Sequence, residues 1–345
     1  MSIDPRLGFI EIIGTPVEVG LQLGRFGREI AHRHLIVSHA WASVMGFRDD
    51  PRIEAMRRLV EARFPAYWME LQGLALGLDL PFDNVFLWNC RGDVWAFAPD
   101  GCTTVQIPGA EPILAHNEDG DPGFHGHCAL AHVRPEEGIA FTSFVYPASI
   151  PGHTFAVTGA GLVQAVNNIR SRGVGIGLPR MILGRALFDC HTLDEAVDLL
   201  SGAPRAGAFH MTLAQQGDSR LASIEFTHTN CSVEMLAQRR CHANHLIHPA
   251  MANERQIITA SSLSRQDRGN DIAKGSTDPL STLWDHGQQA LPIYRRQPDD
   301  PDHENTLATA VFHVGAESVD WCVYDTKDDA PRFVLRGVSR SDAIR

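Results

Sequence analysis

The sequence has no apolar run of the length that a transmembrane helix needs, about 20 residues. It is also poor in positive charge, because 30 lysine and arginine residues stand against 41 acidic ones, a net charge of −11 over 345 residues. A protein that binds nucleic acid or an anionic membrane needs a basic face, so we predict neither partner. The first residues lack a basic segment followed by an apolar one, and we therefore expect no signal peptide.

A disulfide pattern is missing as well. The seven cysteines are odd in number and scattered, and no two have the Cys-x-x-Cys spacing. Disulfide frameworks are typical of small secreted domains with an even number of cysteines. We therefore predict free thiols and a cytoplasmic location, with every cysteine except Cys102 a small buried hydrophobic residue.

The first third of the chain has the apolar spacing of helices. Residues 15–98 are predicted to be mostly helical, with Thr15 as the first N-cap and Pro16 at the first helical position. Pro65 predicts a break in this region.

From residue 102 onward the pattern changes to short β-prone runs separated by Gly, Pro and Asp, which is typical of antiparallel sheets. Helices return near residues 180–202, where Thr192 and Glu195 predict a capping box, and again over 249–290. No repeat or linker interrupts the chain. Alternating blocks of helix and sheet predict layers within a single domain over residues 1–345.

Cys102 has an unusual position for a core thiol, in the stretch PDGCTTV (99–105), where an Asp-Gly turn leads into a strand. Gly101 leaves its carbonyl open to attack by that thiol. An N-to-S acyl shift followed by hydrolysis would make Cys102 a new N-terminus, whose amine, with an unperturbed pKa of roughly 7.7–8.0, can take the thiol proton. A turn cysteine without a chemical role is the alternative.

The next polar stretch is ILAHNEDG (113–120), which contains His116, Asn117 and Asp119. It belongs to the strand that follows Cys102, so a hairpin can bring a carboxylate beside the thiol. Such a carboxylate could orient an ammonium group. The alternative is a polar strand end with no function.

A third stretch, residues 241–249, holds one asparagine and three histidines. Asn244 can donate its side-chain amide to an oxyanion. The spacing of His242, His245 and His248 does not put three ligands on one side of a strand, and on a helix it spreads them apart. We therefore predict no metal site.

The stretch SSLSRQDR (261–268) places Arg265 and Arg268 three residues apart on one helical face. Two such guanidinium groups can bind a carboxylate through paired hydrogen bonds. A solvated helix face is the alternative.

Taken in order, these stretches resemble the acyl-CoA:6-aminopenicillanic acid acyltransferase family of N-terminal-nucleophile hydrolases, which also include conjugated bile acid hydrolases and penicillin V acylases. The resemblance extends over roughly residues 10–335. The motifs that carry it are DGCTT (100–104), LAHNED (114–119), GLVQAVNN (161–168), GLPRMILGRAL (177–187), HANH (242–245) and SSLSR (261–265).

The resemblance implies an α+β fold, a four-layer αββα sandwich with two stacked antiparallel sheets. It also implies self-cleavage between Gly101 and Cys102. The products would be a mostly helical fragment, 1–101, and a fragment 102–345 that begins with the nucleophile, and the two would stay associated.

The resemblance further assigns roles. Cys102 is the nucleophile and its amine the base, Asp119 lies near that amine, and Asn244 belongs to the oxyanion hole. The residues that we predict to bind substrate are His116, Asn117, Ser262, Arg265 and Trp95. Trp95 with Phe97 and Phe124 could line an apolar acyl pocket, with ordinary core packing as the alternative.

One position departs from the bile acid hydrolases, which have an arginine where this chain has His116. The imidazole can be neutral or charged there. The difference favours the acyltransferase branch.

The predicted function is therefore an autoproteolytically activated hydrolase or N-acyltransferase that acts on a linear amide through an acyl-thioester on Cys102. Its partners would be a small amide, an acyl-CoA or an amine. No cofactor is expected, and acyl-CoA would enter as a substrate. Association into a homo-oligomer is left open. The alternatives are an unprocessed cysteine hydrolase with a histidine base and a non-catalytic binding protein on the same scaffold.

Overall fold

In the part of the chain that the structure describes, one strand comes first, six α-helices follow, and strands then alternate with four further α-helices. The computed structural model describes residues 6–96, 101–287, 290–296, 303–327 and 330–341. The helices are α1 (Pro16–Ile30), α2 (His39–Met45), α3 (Pro51–Arg63), α4 (Pro65–Leu78), α5 (Phe82–Asn89), α6 (Arg91–Val94), α7 (Arg180–Ala186), α8 (Leu193–Gly202), α9 (Ala260–Gly275) and α10 (Pro279–Leu283). The strands are β1 (Gly8–Gly14), β2 (Gly101–Ile107), β3 (Ile113–Gly120), β4 (Ala129–Pro135), β5 (Phe141–Val145), β6 (Ala156–Thr158), β7 (Leu162–Asn168), β8 (Phe209–Gln215), β9 (Leu221–Phe226), β10 (Cys231–Met235), β11 (Arg240–His242), β12 (Asn305–Val314), β13 (Val319–Tyr324), β14 (Phe333–Arg336) and β15 (Ser339–Arg340).

The predicted start of the first helix is confirmed. Thr15 caps α1, because its side chain accepts from the Glu18 backbone N–H while the Glu18 carboxylate accepts from the Thr15 N–H at 2.9 Å. Pro16 is the first helical residue. The predicted break is also confirmed, since α3 ends at Arg63 and Pro65 begins α4.

Two other helix predictions hold only in part. Thr192 caps α8 by accepting from the Glu195 N–H at 3.2 Å, but the Glu195 carboxylate binds the His191 N–H, so half of the predicted capping box forms. The helix predicted over 249–290 is replaced by α9 and α10. Thr259 caps α9, which therefore starts later than the apolar pattern indicated.

The strands form two sheets, with the orders β1-β4-β5-β6-β7-β8-β9-β10 and β11-β2-β3-β12-β13-β14-β15. Neighbouring strands are antiparallel except for β1 and β4, which are parallel. A parallel pair needs a long connection, and here the helices α1–α6 and the hairpin β2–β3 intervene in the sequence. The expected antiparallel sheets therefore include one parallel edge.

The layers follow from the contacts. Strand β7 of the first sheet faces β2 and β3 of the second, and Phe155 packs edge-on against Phe312 and Trp321 between the sheets. Helices α9 and α10 contact β2 from the outer side of the second sheet, while α1 and α8 contact the first sheet. The predicted αββα sandwich is confirmed. Among the described residues, no helix combines the length and the hydropathy that a membrane span requires.

Glycines bring α1 and α4 into close contact in the outer helical layer. Gly20 and Gly24 of α1 face Gly73 and Gly77 of α4, and a Cβ on any of them would overlap the backbone of the other helix. A Cβ on Gly73, for example, would overlap the carbonyl oxygen of Val17. The close contact between α1 and α4 therefore requires glycine, which has no side chain, at these four positions.

We expect Gly73→Ala to lower the free energy of unfolding by about 1–3 kcal/mol, because the added methyl group forces the two helix backbones apart. Gly202→Ala, at the end of α8, is the control, since a Cβ there meets nothing within 4 Å. Urea unfolding monitored by circular dichroism measures both variants. Equal midpoints for the two variants would contradict the role of the crossing.

Candidate active site

The β2–β3 hairpin places the predicted nucleophile beside the acidic stretch. Gly101 pairs with Asp119, and Cys102 pairs with Glu118. Because side chains alternate along a strand, Glu118 lies on the same face as Cys102, between the two sheets. Asn117 lies on the opposite face, where its Nδ2 donates to the carbonyl oxygen of Leu283 in α10 at 2.6 Å. The sequence-based prediction that a hairpin joins these stretches is confirmed, and Asn117 points away from the thiol.

Cys102 is buried, with 2% of its surface exposed, and it is held through its backbone. Its N–H donates to Asn244 Oδ1 at 3.0 Å, and Arg265 Nη1 donates to its carbonyl oxygen at 2.6 Å. The thiol donates to Glu118 Oε2 at a sulfur–oxygen distance of 3.9 Å. Gly101 and Cys102 thus begin a strand whose backbone is held in place, and the Cys102 sulfur faces the carboxyl group of Glu118.

Arg265 also fixes the orientation of the Asn244 amide. Its Nη2 donates to Asn244 Oδ1 at 2.7 Å, and Asn244 Nδ2 donates to the carbonyl oxygen of Asn168 at 3.1 Å. In the intact chain the amide oxygen of Asn244, rather than its NH₂ group, therefore faces Cys102. The role of Asn244 in an oxyanion hole stays a prediction.

The arginine pair of α9 separates into two different environments. Arg265 is 1% exposed, and burial, followed by the nearby charge of Arg295, lowers its pKa. Arg268 instead binds Asp285 near the surface at 2.8 Å. The solvated-face alternative is wrong for Arg265, whose partners belong to the Cys102 segment.

Ser262 supports the Asn244 loop. Its Oγ accepts from the Asn244 N–H at 2.9 Å and lies 2.8 Å from His245 Nδ1. Trp95 lies half-buried against the hydrophobic core at the end of α6, and Phe97 lies outside the described residues. Substrate binding by Ser262 and Trp95 stays a prediction.

A second set of charges surrounds Gly101. A Cβ on Gly101 would overlap Glu304 Oε2 and would lie 2.8 Å from Arg295 Nη1. Asp119 accepts from Thr306 Oγ1 at 2.7 Å, and its other oxygen lies 3.8 Å from Arg295 Nη1. The bond predicted to break therefore lies beside three buried charged side chains.

On the opposite face, Glu118 belongs to a buried polar cluster. His116 Nε2 lies 3.1 Å from Glu118 Oε2, and Tyr146 donates its hydroxyl to Glu118 Oε1 at 3.0 Å. Burial lowers the pKa of His116 to about 3, so the ring is neutral. His116 therefore contacts the carboxyl group that faces the thiol, and its substrate-binding role stays a prediction.

The same cluster bears on metal binding. Within the described ranges, Cys102, His116 and Glu118 are the one group of three potential ligands whose donor atoms lie within 4.8 Å of one another. Their polar atoms already contact each other, and nothing else in the cluster indicates an ion. The three histidines of 241–249 do not converge, since His242 binds Glu225 while the other two bind serines.

A cavity opens beside this cluster. Tyr146, which contacts Glu118, is also part of the cavity wall, and Phe124 packs against Tyr146 there. The wall is formed by Leu35, Ser38, Ala40, Trp88, Arg91, Asp121, Phe124, Tyr146, Pro147 and Ser149. The prediction that Phe124 lines an apolar pocket fits this cavity, whereas Trp95 is not part of its wall.

Sequence reasoning missed four residues of the site. Glu118 has a clear signal, because the two-residue period of a strand puts it opposite Cys102 once the hairpin is assumed. Tyr146, Arg295 and Glu304 have no such signal, since they lie in loops whose approach depends on the tertiary fold.

Known proteins match most of the chain. The chain is 22% identical to the beta-alanyl-dopamine/carcinine hydrolase of Drosophila melanogaster, over 89% of this chain and 90% of the relative. It is 24% identical to the acyl-coenzyme A:6-aminopenicillanic-acid-acyltransferase 40 kDa form of Emericella nidulans, over 88% and 89%. A variant of the conjugated bile acid hydrolase from Clostridium perfringens superposes with a TM-score of 0.45 and 10% identity, over 68% of this chain and 92% of that one.

The sequence profile of one family matches residues 107–328, which is more than half of the chain. The matched region includes the acidic strand β3, the Asn244 loop and helix α9. The proteins of this family are amide hydrolases and acyltransferases. On this evidence the chain belongs to the acyl-coenzyme A:6-aminopenicillanic acid acyl-transferase family.

Proposed function

We propose that the chain is a cysteine amidohydrolase or N-acyltransferase that activates itself by cutting the Gly101–Cys102 bond and then acts on linear amides. The observation that carries the proposal is the environment of that bond. It is buried, its backbone is held by Asn244 and Arg265, and Asp119 lies across the hairpin from Gly101.

In the activating step, the Cys102 sulfur attacks the carbonyl carbon of Gly101. The C–S bond forms, the C–N bond breaks, and the thiol proton ends on the Cys102 nitrogen. Water then hydrolyses the thioester and releases fragments 1–101 and 102–345. Asp119 is buried in the register position opposite Gly101, which suits it to bind the new ammonium group.

In the catalytic cycle, the Cys102 amine takes the thiol proton, the thiolate attacks the substrate carbonyl, and the amine protonates the leaving group. Arg265 and the Cys102 nitrogen both bind Asn244 Oδ1. Asn244 Nδ2 gives one proton to the carbonyl oxygen of Asn168, which leaves its second N–H as the donor of this amide for the oxyanion. Loss of such a donor typically costs about 10²–10³ in rate. The acyl group passes from sulfur to water or to an amine.

The acyl group would lie in the cavity beside Tyr146. Its apolar wall, with Leu35, Trp88 and Phe124, suits a hydrophobic or aromatic acyl chain, and Arg91 adds a buried positive charge. One of the two relatives is named as a hydrolase of beta-alanyl-dopamine and carcinine, and the other as an acyltransferase that uses acyl-coenzyme A. For this chain we therefore propose a small amide or an acyl-CoA as substrate, without a cofactor.

The two fragments would remain associated after cleavage. Strand β1 of the first fragment pairs in parallel with β4 of the second from Gly8 to Gly14, and α1 contacts the same sheet. All seven cysteines are free, which favours a reducing compartment such as the cytoplasm.

We expect the purified protein to separate under denaturing conditions into two species with the masses of residues 1–101 and 102–345. Cys102→Ala should remain one chain and lose activity on amide or acyl-CoA substrates. Cys322→Ala, in β13, is the control and should be cut like the wild type. Intact mass spectrometry measures all three proteins, and an uncut wild-type chain would overturn the proposal.

We also expect Arg265→Lys to lower kcat by about 10²-fold with little change in KM, because Arg265 positions Cys102 and Asn244 and a small displacement of reacting groups is costly. Steady-state kinetics on the cleaved enzyme measures this effect. Arg268→Lys, one turn further along α9, is the control and should behave like the wild type. A rise in KM alone would instead support the predicted substrate-binding role of Arg265.

A further inference from the structure

The amine that serves as base in the cleaved enzyme does not exist before scission. Yet the Cys102 thiol must lose its proton to attack Gly101, so the intact chain needs another base. The group that the thiol contacts is Glu118, whose Oε2 lies 3.9 Å from the sulfur. The hydrogen bonds around Glu118 determine whether its carboxyl group can accept a proton.

The hydroxyl group of Thr104 determines which nitrogen of His116 carries a proton. Its Oγ1 lies 2.7 Å from Asn167 Oδ1 and 2.8 Å from His116 Nδ1. The amide of Asn167 is oriented by its Nδ2, which donates to the carbonyl oxygen of His242. The atom that faces Thr104 is therefore Oδ1, and an amide oxygen can only accept. The single hydroxyl proton of Thr104 therefore goes to Asn167. His116 must then donate from Nδ1 to Thr104.

This tautomer leaves His116 Nε2 with a lone pair that points at Glu118 Oε2, 3.1 Å away. Two basic atoms at hydrogen-bond distance must share one proton. When that proton moves to Nε2, Oε2 becomes a carboxylate oxygen that faces the thiol. Tyr146 donates to Oε1 and stabilises the negative charge.

We propose that Glu118, with His116 behind it, is the base that removes the Cys102 thiol proton in the intact chain and so starts the self-cleavage. The inference rests on the proposed function and adds the residue that begins it. The thiol proton passes to Glu118 Oε2, while the proton shared with His116 moves to Nε2. The ring is neutral at rest and is charged only until that proton returns to Oε2. Once the thiolate has attacked, the proton is returned to the departing Cys102 nitrogen. Glu118 is a catalytic residue in this step, and His116 is a positioning residue.

The surroundings support this assignment. His116 and Glu118 are 0% and 2% exposed, so water does not compete for their proton. Among the described residues, titratable groups that face Glu118 include the thiols of Cys102 and Cys128, His116 and Tyr146. Burial raises the pKa of Cys128, whereas Cys102 is the thiol that donates to Glu118 Oε2.

The first test follows the cleavage of the full chain with time. We expect Glu118→Gln, which keeps the shape of the side chain but removes the base, to slow the appearance of the 102–345 fragment by at least about 100-fold. Glu118→Asp should be slowed less, because it keeps a carboxylate at a longer distance from the sulfur. Glu70→Gln is the control, since Glu70 is equally buried but binds Arg185 in the helical layer, and it should be cut at the wild-type rate. Cleavage of Glu118→Gln at the wild-type rate would overturn the inference.

A second readout separates this inference from the proposed function. Iodoacetamide labels the Cys102 thiolate, and mass spectrometry reads the label on the uncut chain alone, mapped to Cys102 by digestion. We expect Cys102 of the uncut wild type to react at lower pH than that of Glu118→Gln. In the wild type the thiol proton can pass through Glu118 and leave the thiolate beside a protonated His116, whereas glutamine cannot pass the proton on. Identical pH profiles would overturn the role of Glu118. If the wild type is never cut but the profiles differ, the proposed function fails while the assignment of Glu118 as the base of this thiol stands.

Discussion

The register of the β2–β3 hairpin is the constraint on which the site depends. It places Gly101 opposite Asp119 and Cys102 opposite Glu118, so that one peptide bond has a carboxyl group on each face of the sheet. A slip of one residue would exchange the two faces and point the sulfur away from the interior. The hydrogen bonds of Asn244 and Arg265 to the Cys102 backbone hold the strand at this register from the outside.

The two faces of the β2–β3 hairpin carry different groups of polar side chains. The face toward α9 holds Asp119 and Arg265, which suit the binding of a charged amine and the alignment of the backbone. The face between the sheets holds His116, Glu118 and the sulfur, close to an apolar cavity. Under the proposed function, proton transfer and substrate binding would both take place on the side of the sulfur, while the backbone is held from the other side.

Much of the fold could be predicted because its signals are local. Thr15, Pro16 and Pro65 act through caps and missing N–H groups, and the β-prone runs became strands. The parallel pairing of β1 with β4 could not be predicted, since it is set by packing between distant segments. In the site, Cys102 lies beside Asn244 and on the strand paired with that of Asp119, as the motifs indicated. The placement of Arg295 and Glu304 around Gly101 depends on a loop that approaches through the tertiary fold alone.

The parallel edge strand β1 has a further consequence. It precedes the proposed cleavage point, yet it completes a sheet whose other strands all follow that point. The covalent link between the two parts would be needed while the sheet assembles and would be dispensable afterwards. A protein built in this way would gain its activity irreversibly, because two severed chains that come apart must find each other again by diffusion, whereas the newly synthesised chain carries both parts together.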